Sequence, residues 1–371
     1  TLKKRCDSFA TSLPWTASEA AIPVDVLFLS TPQHVAAMAA WDSGSGSELY
    51  VGGQFNYTPQ GTRSQVARWG VAGWQQLGAG LDHSSQPSVS SFAVFDDGTG
   101  PALYSGGRFT IAGSEWADYL AKWDGSRWSE VGRGVNARVK ALAVFDDGTG
   151  PALYVAGDFS AVGSSTDWTG TDRSVAANRV AKWNGEDWEE VAGGFSTEAL
   201  NGYVRMEVLA DLEGTSLFLW GSGVPVLRLR NNVWEPLDSG DYSTGDLVAF
   251  DDGSGAALFR SYAGASGSYL QKRVAGAWIN VTPLTADEHH LVVHSSVDGT
   301  FLYAADAFSG LPGSPPGVHI RRWNGTSWSA PLGVADALFE VPDLAGPAKL
   351  YAVVERSNPG EDTVLTWNGA A

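Results

Sequence analysis

The chain has 371 residues, a formal net charge of -17, 45 glycines, 16 tryptophans and one cysteine. So acidic a surface repels phosphate backbones and anionic membranes, which argues against a nucleic-acid partner, and no apolar run reaches the roughly 18 residues of a membrane span. Cys6 alone forms no internal disulfide, and Thr1-Leu2-Lys3-Lys4-Arg5 is not followed by the apolar core of a signal peptide, a start that a processed secreted chain would share.

Residues 1–34 do not open with a first strand of the repeat that follows, but they hold Trp15 in a setting like that of the tryptophans opening fourth strands. Repeat one runs from Val35 through Trp41-Asp42, Leu49 to Phe55, Val66-Ala67-Arg68-Trp69 and Trp74. Repeat two runs from Val89 through Phe95-Asp96-Asp97-Gly98-Thr99-Gly100, Leu120-Ala121-Lys122-Trp123, Asp124-Gly125 and Trp128. Repeat three, residues 139–195, is the fullest copy. Val139 to Phe145 and Ala152 to Phe159 read as apolar strands about a turn cluster, Arg179 to Trp183 is a third, and Trp188 to Val191 a fourth. Asn184-Gly185 is expected to supply the positive φ angles of the tight turn between those last two. Repeat four (Tyr203 to Trp234) is degenerate, five recovers Phe250-Asp251-Asp252-Gly253 and ends at Trp278, and six ends at Trp328. Repeat seven reaches Trp367-Asn368-Gly369 without a fourth strand, and the segment near Trp15 offers an unassigned one.

Seven units of about 50 residues with four strands each predict an all-β chain, a seven-bladed β-propeller of four-stranded antiparallel blades. Its ring would be closed by pairing the N- and C-terminal segments, which removes two open sheet edges. A stacked solenoid would leave an orphan strand. The expected organisation is one domain over 1–371. Its blades are expected near 35–81, 89–135, 139–195, 203–238, 245–281, 289–334 and 336–371, with an N-terminal strand within 1–34.

FDDGTGPALY, GGRF or AGDF, and AKWDGSRW or AKWNGEDW together resemble the repeats of large secreted propeller-forming bacterial proteins. They are more distantly similar to the kelch-like repeats of fungal cortical polarity-marker proteins. The resemblance implies a propeller and a secreted or extracytoplasmic home; it carries no catalytic motif.

In such a fold the first strands line the channel and the within-blade hairpin turns share one face. The loops between strands two and three, and between blades, gather on the other. The hairpin face is nearly uniform here and the other varies, so binding is expected on the variable face. The Asp-Asp-Gly-Thr-Gly turns contain carboxylates but lack the alternating acids and final Glu of a calcium loop, and read as turn formers. Tryptophans at repeated positions read as inter-blade packing. Trp116 and Trp168 fall instead in variable-face loops, with Tyr57, Tyr203 and Tyr242 as possible companions; they read as ligand platforms or as local loop packing. Lys140, Arg205, Asp246, His290 and Asp336 cluster near the starts of first strands, where polar groups serve a ligand or face a water-filled channel. His289, His290 and His294 are too spread along one strand for a zinc site. No metal and no cofactor are expected. Asn56, Asn280 and Asn324 begin glycosylation sequons.

Nucleophile elbows, phosphate loops and dinucleotide fingerprints do not occur. The leading expectation is a non-catalytic extracellular binding or scaffold module for a glycan or protein. The alternative is a polysaccharide-active lyase or hydrolase at the channel mouth, with Arg205 or Lys140 neutralising an acidic sugar and His290 as general base.

Overall fold

Strands that are apolar on both faces must be covered on both. In the computed structural model the described residues do this with seven four-stranded antiparallel sheets, accompanied by one three-stranded and one two-stranded ribbon. The structure describes residues 15–21, 34–54, 64–70, 73–83, 86–163, 174–195, 202–238, 244–264, 266–284, 289–307, 318–335, 337–342, 347–354 and 363–367, and among these there is no helix.

The sheets follow the repeats in chain order. Sheet two comprises Ser88–Asp96, Pro101–Arg108, Leu120–Trp123 and Trp128–Glu130. Sheet three comprises Val139–Asp146, Pro151–Gly157, Val180–Trp183 and Trp188–Glu190. Sheet five ends in a longer fourth strand, Ala277–Leu284. Sheet seven consists of Ala337–Val341, Lys349–Val354 and Thr363–Trp367, and its outer strand is Trp15–Ala21, with Trp15 opposite Trp367. In sheet six Trp328 makes only an isolated bridge to Trp323, and the fourth strand is Gly333–Val334. Pro331 between them has no N–H to give to a ladder.

The chain divides into two compact units. One holds Val24–Val208 and Ser216–Tyr242; the other holds Thr1–Pro23, Leu209–Thr215 and Ser243–Ala371. In the first, apolar clusters are shared by sheets one and two (Trp41, Leu77, Trp123, Trp128), two and three (Tyr104, Val139, Leu153, Trp188) and three and four (Tyr154, Phe195, Met206, Leu217). In the second they are shared by sheets five and six (Phe250, Phe259, Leu291, Trp323) and six and seven (Tyr303, Ile320, Leu350, Trp367).

The repeated tryptophans work in pairs. Trp123 with Trp128 and Trp183 with Trp188 have ring centroids 5.2 and 5.3 Å apart, tilted at 50° and 52°. The second ring of each pair reaches the preceding repeat. Trp128 Nε1 donates to the Leu77 carbonyl at 3.0 Å, and Trp188 Nε1 to the Gly132 carbonyl at 2.8 Å. Gly132 has φ +52°, and a Cβ there would lie 2.5 Å from both rings of the Trp183–Trp188 pair.

The Asn184-Gly185 turn differs from its expected form. Trp183 pairs with Trp188, so the loop holds four residues, 184–187, and only Gly185 takes a positive φ, +106°. Asn184 acts as an acceptor instead: its Oδ1 receives the N–H groups of Glu186 and Asp187 at 2.9 and 2.8 Å.

The carboxylates of the DDGTG turns are occupied within their own repeats. Asp96 Oδ1 accepts the N–H groups of Gly98 and Gly100, both at 2.9 Å. Asp97 accepts from the Tyr104 hydroxyl at 2.7 Å and from Lys122 Nζ at 2.7 Å, while Lys122 also meets Thr99 Oγ1 at 2.6 Å. Asp147, Tyr154, Lys182 and Thr149 repeat the arrangement in sheet three, and Asp252, Lys272 and Ser254 in sheet five. Sheet one has Ser43 in place of the second Asp; there Glu48 Oε2 takes both the Tyr50 hydroxyl at 3.2 Å and Arg68 Nη1 at 3.0 Å.

Burial pushes the Asp97 carboxyl up, but the hydrogen bonds from Lys122, Thr99 and Tyr104 outweigh it and hold the group at about 2. Burial and Asp97 both push the Tyr104 phenol well up. Since folding lowers the Asp97 pKa from 3.8 to about 2, the stabilisation is complete above pH 4 and lost as pH falls through that window. Lys122→Met is expected to cost about 1–3 kcal/mol at neutral pH, the range for removing a charged partner from a carboxylate. Urea denaturation checks this, and the gap between wild type and variant should narrow between about pH 4 and pH 2. Chelator should leave the melting temperature of the wild type unchanged, because a native-state calcium would have to raise it.

Candidate functional site

Trp116 stands on a small three-stranded ribbon. Glu115–Trp116 pairs with Ile111–Ala112, which pairs in turn with Leu81–Asp82 from the connection between sheets one and two. Thr110 N–H donates to the Asp82 carbonyl and Ala117 N–H to the Thr110 carbonyl, both at 3.0 Å, so the hairpin is held at its base. Trp116, expected in a loop, lies in a strand, because the Gly113 bend lets the chain fold back on itself. The residue is 73% exposed.

Sheet three carries the same device. Ala161–Val162 pairs with Val175–Ala176, and Val162 bridges to Val135 in the connection from sheet two. Ala176 pairs with Ala161 as Trp116 pairs with Ile111, so the ribbon forms without an indole at that place. Trp168 lies outside the described residues, as do Tyr57, Tyr242, Asn56 and Asp336.

Below the ribbon of sheet two are three charged residues that the sequence reading passed over. Burial pushes the Asp118 carboxyl up. Burial and then the Asp118 charge push Glu130 up, with Arg133 opposing. The signal was positional, since Asn178 and Gly193 occupy the equivalent places beside Glu190 in repeat three.

The residues at the starts of first strands fall into separate settings. Lys140 is only 7% exposed, at a bulge between Val139 and Ala141, with Nζ donating to Asp158 Oδ1 at 2.8 Å and to the Gly202 carbonyl at 3.0 Å. Burial lowers its pKa, the Asp158 carboxylate opposes this, and the charges of Arg138 and Arg179 add to the lowering. Arg205 stacks over the Tyr203 ring at 5.9 Å. Asp246 is buried at 6% exposure, and its Oδ2 accepts the Leu291 N–H at 3.1 Å and lies 3.6 Å from His290 Nδ1. Ser91 does the same for the Leu142 N–H at 3.1 Å. Each first strand is a sheet edge, and in sheets three and six a side chain of the preceding sheet caps one of its N–H groups. Asp246 therefore has a structural duty, while His290 is half exposed.

His294 is buried against Glu340 at 3.1 Å and meets the Tyr303 ring edge-on at 6.1 Å. His290 and His294 thus find partners in sheets five and seven, on either side of their own. Among the described residues no three His, Cys, Asp or Glu side chains converge as a metal site would require. Of the sequons, Asn324 is spent on its turn, its Oδ1 accepting the Thr326 and Ser327 N–H groups at 2.9 Å, whereas Asn280 is exposed on the fourth strand of sheet five.

No protein-family profile matches the chain, and no curated protein matches it. Solved structures do. BBS1N in complex with ARL6DN superposes with a TM-score of 0.52 at 10% identity, covering 94% of this chain and 97% of that one. The Trypanosoma rangeli sialidase in complex with 2,3-difluorosialic acid gives a TM-score of 0.41 at 10% identity, covering 95% of this chain and 58% of that one. The chain has a β-propeller-like fold. No helix among the described residues is long and apolar enough to cross a membrane.

The two kinds of tryptophan should respond differently to truncation. Trp128→Ala is expected to cost about 3–5 kcal/mol, as loss of a buried indole does. Trp116→Ala is expected to stay within about 0.5 kcal/mol of wild type, as surface changes do. Chemical denaturation of both variants checks the assignment.

Proposed function

We propose that the chain is a seven-bladed β-propeller acting as a non-catalytic, extracytoplasmic binding module, and that it takes a glycan or a protein on the face where the strand-two-to-three ribbons stand. The observation that carries this is Trp116, 73% exposed on a hairpin pinned by backbone hydrogen bonds. Ala176 fills the same place in the next repeat, so the indole is not needed to build the ribbon. A rigid, wet aromatic ring is a costly surface feature unless something covers it, and flat apolar rings suit both the C–H face of a sugar and an aromatic peptide side chain. The repeat motif, similar to that of secreted propeller proteins, supports the extracytoplasmic placement. BBS1N, of like fold, is itself found in complex with a protein.

Two outcomes are expected. In a screen of glycans and of aromatic peptides, Trp116→Ala should weaken the bound ligand by about 1–3 kcal/mol if the ring is a central contact, whereas Asp96→Ala on the hairpin-turn side should leave affinity alone. Normal binding by a folded Trp116→Ala variant would remove this face from consideration. For the ring itself, deletion of residues 1–21 removes the strand opposite Thr363–Trp367 and should lower the melting temperature by several degrees, as two sheet edges open. An unchanged melting curve would count against closure.

A further inference from the structure

A second group of side chains gathers where sheets two and three meet, in a place the sequence reading marked only through Lys140. Arg108 ends the second strand of sheet two, opposite Ser88 at the start of the first. In sheet three the Asp158 N–H donates to the Arg138 carbonyl at 2.9 Å and the Gly157 N–H to the Arg179 carbonyl at 3.0 Å, which brings Arg138, Asp158 and Arg179 to the same end. Arg138 Nη2 crosses to Ser90 Oγ of sheet two at 3.2 Å. Lys140 is sunk among them, its Nζ 2.8 Å from Asp158 Oδ1.

Arg138 is exposed to water, yet the surrounding protein disfavours its charged form; Asp158 opposes this and the Arg108 charge adds to it. Three guanidiniums and an ammonium there run against a composition of 41 acidic and 24 basic residues. The scaffold does not need them: Ser88, Ser90 and Tyr119 stand in repeat two where Arg138, Lys140 and Arg179 stand in repeat three.

We propose that Arg108, Arg138, Lys140 and Arg179 form a binding site for a carboxylate-bearing sugar, such as a uronic acid residue of a short oligosaccharide. The planar guanidinium fork matches a carboxylate with two parallel hydrogen bonds. Asp158 and the Gly202 carbonyl hold Lys140 in place beside the guanidiniums. The net charge of -17 repels long polyanions, so a short acidic ligand is favoured over an extended one. This deepens the binding reading above and rests on it, while using residues other than Trp116.

Calorimetry on the full chain tests the site, with trigalacturonate, neutral galactotriose and inorganic phosphate as probes, at about 20 mM and about 300 mM salt. Trigalacturonate should bind at low salt and weaken at high salt, galactotriose should not bind, and phosphate should bind more weakly than the acidic trimer. Arg138→Gln and Arg108→Gln should each reduce trigalacturonate affinity by about tenfold or more. Arg138→Lys, which keeps the charge and loses the fork, should fall between and serves if the glutamine variant does not fold. The proposal is overturned if trigalacturonate fails to bind at millimolar concentration, if the arginine variants bind it like wild type, or if phosphate binds more tightly. Galactotriose binding that depends on Trp116 and ignores both arginines would sink this site and leave the broader binding reading standing.

Discussion

A sheet that is apolar on both faces cannot stand alone, and the other features of this chain follow from that. Each of the apolar clusters named above is shared by consecutive sheets, so within each unit a sheet is covered by its neighbour. Burying one Leu, Val or Phe side chain is worth about 1.5–3 kcal/mol, and each cluster buries many of them. The tryptophan pairs extend the principle to the outer strands, where Trp188 rests on the backbone of Gly132 and bonds to its carbonyl.

On the hairpin side the repeats solve one problem with interchangeable chemistry. A cation in the third strand must be held beside an aromatic ring of the second, and a carboxylate must neutralise it. Asp97 and Lys122 do this in sheet two, Glu48 and Arg68 in sheet one, and Arg228 with Glu235 in sheet four. What persists is the charge pattern. The opposite side persists in backbone alone: ribbons of the same pairing carry Trp116 in one repeat and Ala176 in the next. Positions free to vary on a fixed scaffold are where specificity accumulates.

Much of the fold was legible because it is written in repeats. The strand order of sheets two and three, the tryptophan registers and the partner for Thr363–Trp367 could all be read from apolar alternation and turn residues. Proline escaped that reading in repeat six, where Pro331 moved the fourth strand beyond Trp328. Asn184 escaped it too, since its identity suggested backbone freedom where its side chain was the working part. The site was less legible. Lys140 and Asp246 share a position near the start of a strand, but a buried ion pair engages one and a neighbouring strand's N–H the other. Arg108, Arg138 and Arg179 are far apart in sequence, and only the ladder registers bring them to one end.

The ribbon hairpins also determine how such a chain acquires new parts. Between Ile111–Ala112 and Glu115–Trp116 there are two residues, 113 and 114, while between Ala161–Val162 and Val175–Ala176 lie residues 163–174. The same paired strands accept both lengths. Closing a loop that much longer costs only about 1.5 kcal/mol in chain entropy, since each doubling adds about 0.6. An inserted peptide at Gly113-Ser114 would be tethered at both ends by paired backbone and would leave the packed sheets untouched. The hairpin is thus a ready grafting point, for natural variation and for display of a chosen epitope alike.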